Sequence, residues 1–394
     1  MYSTQLRSGD YRIQWEVTMN RIVYVGIDVH STNFTFCSIE PVFGGEDKVF
    51  GIAQMAPGYQ SVLKYIEQIK KNLSYDIEVI CGYEAGCFGY ALERQLSSRG
   101  IRCLILAPTT MRSEKGQRQK TDRRDAKMIA ENLANGTFSP VYVPTRDDEQ
   151  VKDYIRMRDD HRKALKKIKQ QINAFCLRHG HHYPGKSKWT IAHIRWLKGL
   201  ELDTLDRETL NEYYQTYEYH VDRIEQFDRR IEELASEEAY AEKVKKLRCF
   251  LGIGTVTAVA LIVETGDFSR FKKGNTYAAY LGLIPGEKSS GDSYRQGGVT
   301  KAGNKHLRRL LTEAAQSICK GTVGHKSKAL KARQRGNDSE TIAYADRANE
   351  RLRRKYYRMI HRGKKRNTAV AAVSRELACF IWGMMTDNTQ GALA

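Results

Sequence analysis

The sequence predicts an α/β domain, followed by two long helices and then by a mainly helical region. Three observations support this prediction. Short β-rich runs alternate with segments of helical periodicity from residue 21 to about residue 146. Charged helix-forming residues dominate from about residue 147, and glycines and small residues return from about residue 246. A hydrophobic content of 41% in 394 residues is sufficient for ordinary cores.

Residues 21–146 have the element order of an RNase H-like fold. The runs RIVYVGIDVH, NFTFCSIEP and DKVFGIAQ predict three strands, the first two of them a hairpin. A helix in GYQSVLKYIEQIKKNL, a strand in YDIEVICGYE, a helix in GYALERQLSSRG and a strand in IRCLILAP follow. Residues 122–135 predict the last helix, which Gly136 closes. Residues 1–20 lack periodicity, and we expect a disordered leader there.

The middle region, residues 147–245, is predicted to contain two long amphipathic helices. Apolar residues recur at helical spacing after Asp147, and a second stripe runs through a helix expected at about residues 205–240. Two interpretations remain open at this point. The pair is either an antiparallel coiled coil that dimerises the protein, or a helical bundle packed on its own domain.

The third region, residues 246–385, opens with the segment LRCFLGIGTVTAVALIVETGDFSRF. Gly252 and Gly254 predict a tight turn between helices, as in a helix–hairpin–helix. The turn amides and the following helix N-terminus would then bind a DNA phosphate without reading sequence. The alternative is an ordinary corner between two helices. Basic helices follow, and residues 386–394 form a short tail.

The charge balance indicates a polyanionic partner. Lys and Arg number 65 against 46 Asp and Glu, a net charge of +19. No run approaches 18 consecutive apolar residues and the N-terminus lacks a signal-peptide core, so nucleic acid is favoured over a membrane. The eight cysteines form no C-x-x-C pair and no zinc-ribbon spacing with histidine. We expect a reducing, cytoplasmic location and no structural zinc.

Four carboxylates are predicted to converge. Asp28 ends the first strand, Glu84 ends a later buried strand, and Asp122 and Asp125 lie at i and i+3 on one helix face. Each acid alone is more typical of a turn or a helix cap. Together they would repel one another strongly without a cation, and oxygen ligands are those that Mg²⁺ or Mn²⁺ prefers. The combination predicts a divalent-metal site.

Five motifs carry a family resemblance. They are VGIDVH, GYEAGCFGYALERQL, KTDRRDAKMIAENL, LGIGTVTAVAL and GLIPGEKSSGDSYRQGGVTKAGNKHLRRLL. In this order they resemble the DEDD-type insertion-sequence transposases, the family called "one-ten" after its founding insertion sequence, which includes Piv-type invertases. The resemblance spans about residues 21–385. It implies a RuvC-like domain in which Asp28, Glu84, Asp122 and Asp125 are the catalytic, metal-binding tetrad.

The segment 285–304 is rich in Gly, Ser and Lys, and we expect a flexible loop before a helix that begins near Asn304. The resemblance implies a nucleophilic serine here, Ser290, with Ser289 as the alternative. A hydroxyl needs a base or a metal to activate it, and attack would give a covalent phosphoserine intermediate. The expected phosphate-binding residues nearby are Arg295, Lys301, Lys305, Arg308 and Arg309.

The resemblance also implies partners. They are donor and target DNA, a guide (bridge) RNA transcribed from the element itself, and further copies of the chain, as a homodimer that assembles into a tetramer on DNA. The basic segment 347–366, which contains Tyr356 and Tyr357, suits backbone binding and base stacking. A solvated amphipathic helix is the alternative for this segment. We expect a nucleoid-associated protein.

Two other functions are compatible with the residues. The first is a RuvC-like nuclease that hydrolyses branched DNA with a metal-activated water and needs no serine. The second is a nucleic-acid-binding protein or RNA chaperone without catalytic activity. Substitution of Ser290 separates the recombinase from the nuclease, and substitution of Asp28 or Asp125 separates both from the binding protein.

Overall fold

The computed structural model describes residues 21–42, 44–112, 121–290 and 293–389, and it describes only the backbone of residues 288–290 and 293–296. The expected leader and the last residues of the expected tail lie outside this range. The chain divides into two compact units, Met1–Val143 and Pro144–Ala394. The finer domain boundaries expected from the sequence stay a prediction.

The first unit contains a five-stranded mixed sheet of order β3-β2-β1-β4-β5. Its strands are β1 (Arg21–Val29), β2 (Phe34–Glu40), β3 (Lys48–Met55), β4 (Ile77–Glu84) and β5 (Arg102–Leu106). Its helices are α1 (Tyr59–Lys71), α2 (Ala91–Ser97) and α3 (Asp122–Asn135). The first three strands pair antiparallel, and β1–β4 and β4–β5 pair parallel. This order agrees with the predicted RNase H-like succession of elements.

The two faces of the sheet carry different helices because side chains alternate along β1. Val23, Val25 and Ile27 pack in one core with the buried face of α1. Gly26 lies on the opposite face, where α3 crosses. A Cβ at Gly26 would lie 2.2 Å from the carbonyl oxygen of Ala126 and 2.4 Å from the amide nitrogen of Ala130. Glycine at this position therefore lets the backbone of α3 lie directly on the sheet.

In its described residues, the second unit is helical except for one hairpin. Its helices are α4 (Arg146–Arg178), α5 (Ile191–Lys198), α6 (Thr204–Ala235), α7 (Glu238–Leu247), α8 (Thr255–Thr265), α9 (Gly274–Tyr280), α10 (Lys305–Cys319), α11 (Lys328–Gln334), α12 (Ser339–His361) and α13 (Arg366–Met385). The helix expected at about 205–240 is two helices, because α6 ends at Ala235 and α7 begins at Glu238.

The long helices α4 and α6 pack against each other in antiparallel directions. Arg158 pairs with Asp228 at 2.7 Å, while Phe175, further along α4, packs against Tyr213, which is earlier in α6. One end of the pair has its own small core, which includes Ile168, Ile172 and Leu210. At the other end, Val151, Ile155 and Ile231 belong to the main core of the unit. The pair thus has features of both expected arrangements, and its role in dimerisation stays a prediction.

The segment expected as a flexible loop contains a β-hairpin, so that expectation was wrong. Strands β6 (Pro285–Ser290) and β7 (Ser293–Val299) pair antiparallel, with Ser290 opposite Ser293. The two strands are separated in sequence by Gly291 and Asp292, a dipeptide typical of two-residue hairpin connections. Helix α10 confirms the helix expected near Asn304. Asn304 is its N-cap residue, and the Asn304 side chain accepts hydrogen bonds from the backbone amides of His306 and Leu307.

Helix α13 is apolar and mostly buried. Within the described part of the chain it is the one helix with the length and composition to cross a membrane, and 61% of its most apolar window is buried in the protein. It packs against α9, α10 and α12, and Leu377, Phe380 and Ile381 lie in the main core. Its apolar composition is accounted for by this packing.

Candidate active site

The end of β1 and the start of α3 bring three potential metal ligands together. Ligand atoms of Asp28, His30 and Asp122 lie within 4.8 Å of one another. Nε2 of His30 is 3.2 Å from Oδ2 of Asp28 and 3.9 Å from Oδ1 of Asp122. A carboxylate from a strand and a carboxylate from a helix, expected together from the sequence, therefore do meet.

The local structure explains why these side chains meet. Asp28 is two residues after Gly26, so it lies on the face of the sheet that α3 covers. Asp122 and Asp125 occupy the first turn of α3, where the unpaired amides of a helix N-terminus favour negative charge. Thr121 precedes the helix as its N-cap residue. Close packing of α3 at Gly26 thus places the first turn of α3 beside the end of β1.

The electrostatics of Asp28 are those of a crowded carboxylate. Burial raises its pKa, His30 lowers it, and Asp125 and Asp122 raise it further. The net effect is a pKa above the ordinary value for aspartate. A nearby cation would favour the ionised form and reverse this shift.

Two buried oxygens at this edge of the sheet, Oδ1 of Asn33 and Oγ1 of Thr35, have no hydrogen-bond partner among the described residues. Oδ2 of Asp28 has the His30 ring beside it at 3.2 Å. Thr35 is the direct partner of Asp28 in the β1–β2 ladder, and the carbonyl of Asn33 accepts from the amide of His30. Buried polar atoms are normally paired, so these oxygens point to a missing partner. Oxygen donors with one imidazole suit a divalent cation such as Mg²⁺ or Mn²⁺.

The other two acids of the expected tetrad lie around this group. Glu84 ends β4 one position after Tyr83, which pairs with Ile27, so Glu84 and Asp28 stand at the same level on adjacent parallel strands. The Glu84 residue is exposed. Asp125 is close enough to act on the charge of Asp28. Neither acid belongs to the group that lies within 4.8 Å, and their roles as ligands stay a prediction.

The sequence reasoning missed His30. The signal was present, because His30 follows Asp28 by two residues and alternation places both on one side of an extended chain.

A cleft of 520 Å³ adjoins the acidic group, lined by Thr35, Asp122 and Arg123 among others. Arg123 therefore lies where it would meet an anion beside the acids.

The hairpin of the second unit carries the two candidate nucleophiles. Ser289 pairs with Tyr294, and Ser290 pairs with Ser293 at the end of the ladder. Their side chains lie outside the described part of the structure, as does that of Arg295. The amide of Thr300 donates to the carbonyl of Ile284 at 2.9 Å and closes the base of the hairpin.

The expected phosphate-binding residues differ in their surroundings. Lys301 and Lys305 are exposed. Arg308 donates to the carbonyl of Leu281 at 2.9 Å, and Arg309 pairs with Asp159 at 2.6 Å and with Glu313 at 3.0 Å. Both arginines therefore have contacts within the protein that a phosphate would have to share or replace.

Gly252 and Gly254 flank the turn between α7 and α8. Gly252 has φ of 85°, and a Cβ there would lie 2.5 Å from the carbonyl oxygen of Ala314, so close packing against α10 requires glycine. Gly254 is the N-cap residue of α8, is exposed, and has open space around it. A DNA contact at this turn stays a prediction.

Part of the basic segment 347–366 serves the interior of the unit. Arg353 is buried and donates to the carbonyls of Thr322 and His325. The hydroxyl of Tyr357 donates to the carbonyl of Gly321 at 3.0 Å, and Tyr356 packs against the main core. The sequence did not distinguish these residues from solvated ones, because a basic helix looks alike in both settings.

The first unit is thus an α/β domain with a five-stranded mixed sheet and an acidic group at the end of its central strand. A family profile described as Transposase IS116/IS110/IS902 family matches residues 244–330, and a profile described as Transposase matches residues 25–179. The chain is 33% identical over 371 residues to y4qE of Sinorhizobium fredii, a protein named as a transposase, covering 94% of this chain and 90% of that protein. It belongs to the IS116/IS110/IS902 family of transposases.

Two further proteins and one solved structure are also similar to this chain. The transposase for insertion sequence element IS1533 of Leptospira borgpetersenii is 32% identical, over 88% of this chain and 99% of that protein. A pilin gene-inverting protein of Moraxella bovis is 25% identical, over 58% of this chain and 63% of that protein. The RuvC structure of Thermus thermophilus matches 30% of this chain and 99% of that chain, with 13% identity and a TM-score of 0.23.

Proposed function

We propose that the protein is the DNA recombinase of an insertion sequence, which cuts and rejoins DNA through Ser290 and is directed by a guide RNA transcribed from the element. The observation that carries the proposal is the group of Asp28, His30 and Asp122 at the junction of β1 and α3 in a chain of this transposase family. The net charge of +19 supports binding of both nucleic acids.

The acidic group supports a metal-dependent reaction on phosphate. Asp28, Asp122, Asp125 and Glu84 would hold one or more divalent cations, with His30 as a further ligand or as the orienting partner of Asp28. Mg²⁺ at this place would offset the charge that develops on phosphate oxygens during strand cleavage. Arg123 in the adjoining cleft would bind a phosphate oxygen of the same strand.

Ser290 would act as the nucleophile. Its hydroxyl oxygen attacks the phosphorus, the bond from phosphorus to one deoxyribose oxygen breaks, and the serine proton leaves to a base or to solvent. The departing oxygen takes up a proton, and the DNA stays joined to the protein as a phosphoserine ester. A deoxyribose hydroxyl of the other DNA then attacks the same phosphorus, the bond from phosphorus to the Ser290 oxygen breaks, and the departing serine takes up a proton, which restores the phosphodiester bond. No external energy source is needed because the number of ester bonds is conserved.

Trapping of the covalent adduct tests this proposal. Wild-type protein, guide RNA, Mg²⁺ and end-labelled DNA should give a labelled protein band on a denaturing gel, and Ser290→Ala should abolish it. Ser289→Ala is the matched control and should retain the band. Strand cleavage by Ser290→Ala without an adduct would overturn the serine mechanism and leave a metal-dependent nuclease.

A further inference from the structure

One cavity of the second unit is a basic cleft beside the serine hairpin. It has a volume of about 1110 Å³ and lies between α9, the base of the hairpin, α12 and α13. Five cations line it, Lys272, Lys273, Arg351, Lys355 and Arg375, against one carboxylate, Glu376. The residues from α12 and α13 lie outside the segments that the family profiles match.

The positive charge of the cleft is not neutralised by its own carboxylate. Glu376 is shared by Arg351 and Lys355, so this trio keeps one positive charge. Arg375 donates to the side-chain oxygen of Asn275, a neutral partner, at 3.2 Å. Lys272 and Lys273 are exposed at the rim. The concave shape concentrates the field of these cations, which favours an anionic ligand.

The floor of the same cleft is apolar. Leu283 and Trp382 are buried there, and Ala371 and Ala372 lie beside them on α13. The indole nitrogen of Trp382 donates to the carbonyl of Phe271 at 3.0 Å, which holds the ring in place. A cationic rim around an apolar floor fits a ligand that has both phosphates and flat hydrophobic faces, which describes a nucleotide strand with its bases unpaired.

The hairpin connects the cleft to the candidate nucleophile. Pro285, Gly297, Gly298 and Val299 form one wall, and Ser290 lies five residues beyond Pro285 on the same strand. Five residues of strand span about 17 Å, a length that a few nucleotides of DNA cover. A strand held in the cleft is therefore within reach of Ser290.

We propose that the basic cleft binds an unpaired stretch of the DNA strand that the serine hairpin attacks, with phosphates on the cationic rim and bases over the apolar floor. The inference rests on the proposed function, since it takes the ligand from the DNA that Ser290 cleaves. An unpaired strand is favoured over a duplex because a duplex keeps its base faces stacked and would leave the apolar floor without a partner.

Binding of fluorescein-labelled oligonucleotides by the full-length protein, followed by fluorescence anisotropy, tests the cleft directly. The triple variant Lys272→Ala, Lys273→Ala, Arg375→Ala should bind a single-stranded oligonucleotide at least tenfold more weakly than wild type. The plot of log K against log salt concentration has a negative slope, and the triple variant should reduce the size of that slope by about two. Each lost phosphate contact removes about 0.7. The control Lys166→Ala, Arg229→Ala, Lys243→Ala removes the same charge from exposed helical positions and should bind like wild type.

A second variant tests the shape of the cleft without changing charge. Ala372→Trp fills the apolar floor and should weaken single-strand binding at least tenfold while duplex binding changes less than twofold. Its thermal unfolding midpoint should match wild type within a few degrees. Equal losses of single-strand affinity in the cleft triple variant and the control triple variant would overturn the proposal. Equal losses of affinity for single strand and duplex in Ala372→Trp would also overturn it. The adduct assay tests the proposed function separately. Ser290→Ala should bind the oligonucleotide like wild type and lose only the covalent adduct, so retention of the adduct in this variant would contradict the proposed function and leave the binding result unaffected.

Discussion

Glu264 is a buried carboxylate held by residues from helix α4 and from the start of helix α10. Its side chain is 1% exposed. Arg156 of α4 donates to both carboxylate oxygens, and His306 of α10 contacts Oε1 at 2.6 Å. The side-chain amide nitrogen of Asn304 donates to Oε2 at 2.7 Å. Burial raises the pKa of Glu264, but the contacts with His306 and Arg156 outweigh it and hold the pKa at about 2. The same residues position the start of α10, directly after the serine hairpin.

Glu264→Gln is expected to destabilise the second unit by about 3 kcal/mol at pH 7, because the folded pKa of Glu264 lies about 2.5 units below its ordinary value of 4.5. A depressed pKa contributes stability above pH 4.5 that is lost as the pH falls from 4.5 to 2. The difference in free energy of unfolding between wild type and Glu264→Gln should therefore become smaller as the pH falls from 4.5 to 2. Urea denaturation followed by circular dichroism measures it.

The exposed carboxylate Glu242, which pairs with Lys245, provides the control for this experiment. Glu242→Gln should change the free energy of unfolding by less than about 0.5 kcal/mol at every pH. A gap between wild type and Glu264→Gln that stays constant from pH 7 to pH 3 would show that the charge of Glu264 is not what stabilises the unit.

Asp28 is expected to dominate binding of the divalent cation. Asp28→Asn should weaken Mn²⁺ binding at least tenfold by isothermal titration calorimetry, because it removes the charge of the most buried carboxylate of the group. Wild-type affinity should also fall as the pH is lowered, since protons compete with the metal for a carboxylate whose pKa is raised.

Glu131→Gln on the same helix removes an exposed carboxylate that pairs with Lys127, and it should leave Mn²⁺ affinity unchanged. Unaltered Mn²⁺ affinity in Asp28→Asn would mean that the three clustered side chains are not a metal site.

At the scale of elements, the approach of α3 to β1 creates the acidic group. The distance between helix α3 and the sheet fixes how close Asp122 and Asp125 lie to β1. Gly26 allows that distance to be short. The alternation of β1 supplies Asp28 on the same face. The motif VGIDVH therefore contains both the packing residue and a predicted metal ligand.

Gly26→Ala should lower both stability and metal affinity. The new methyl group would overlap the backbone of Ala126 and Ala130, so α3 must move away from the sheet, at a cost of about 2 kcal/mol. Displacement of Asp122 from Asp28 should weaken Mn²⁺ binding at least tenfold. Thermal unfolding and calorimetry measure the two effects.

Gly86→Ala is the matched substitution in the same unit. The nearest atom to its added Cβ would be 3.9 Å away, an ordinary contact, so both properties should stay close to wild type. If Gly26→Ala retained full stability and Mn²⁺ affinity, the position of α3 would not depend on the glycine.

In the whole molecule, the lysine and arginine residues serve different purposes. Some cations serve the fold, such as Arg353 in the interior and Arg309 in its pairs with Asp159 and Glu313. Others remain available at the rim of the basic cleft. The net charge of +19 indicated a nucleic-acid partner, but only the packing of α9, α12 and α13 shows which cations stand together.

Within each unit, the sequence by itself determined the local elements. The strands and helices from Arg21 to Gly136 follow from periodicity of two and 3.6 and from closing glycines, signals that lie within a few residues of one another. The spacing of Asp122 and Asp125 placed both acids in the first turn of one helix for the same reason. The hairpin was missed because its Gly- and Ser-rich strands lack the apolar alternation on which strand prediction depends.

Only the tertiary structure decided which distant residues meet. It joined His30 to Asp28 and Asp122, gave Glu264 its partners from α4 and α10, and assembled the basic cleft from four elements. Such contacts depend on how closely backbones approach and on which faces are buried. These are properties of packing between segments far apart in the chain, and local sequence patterns do not encode them.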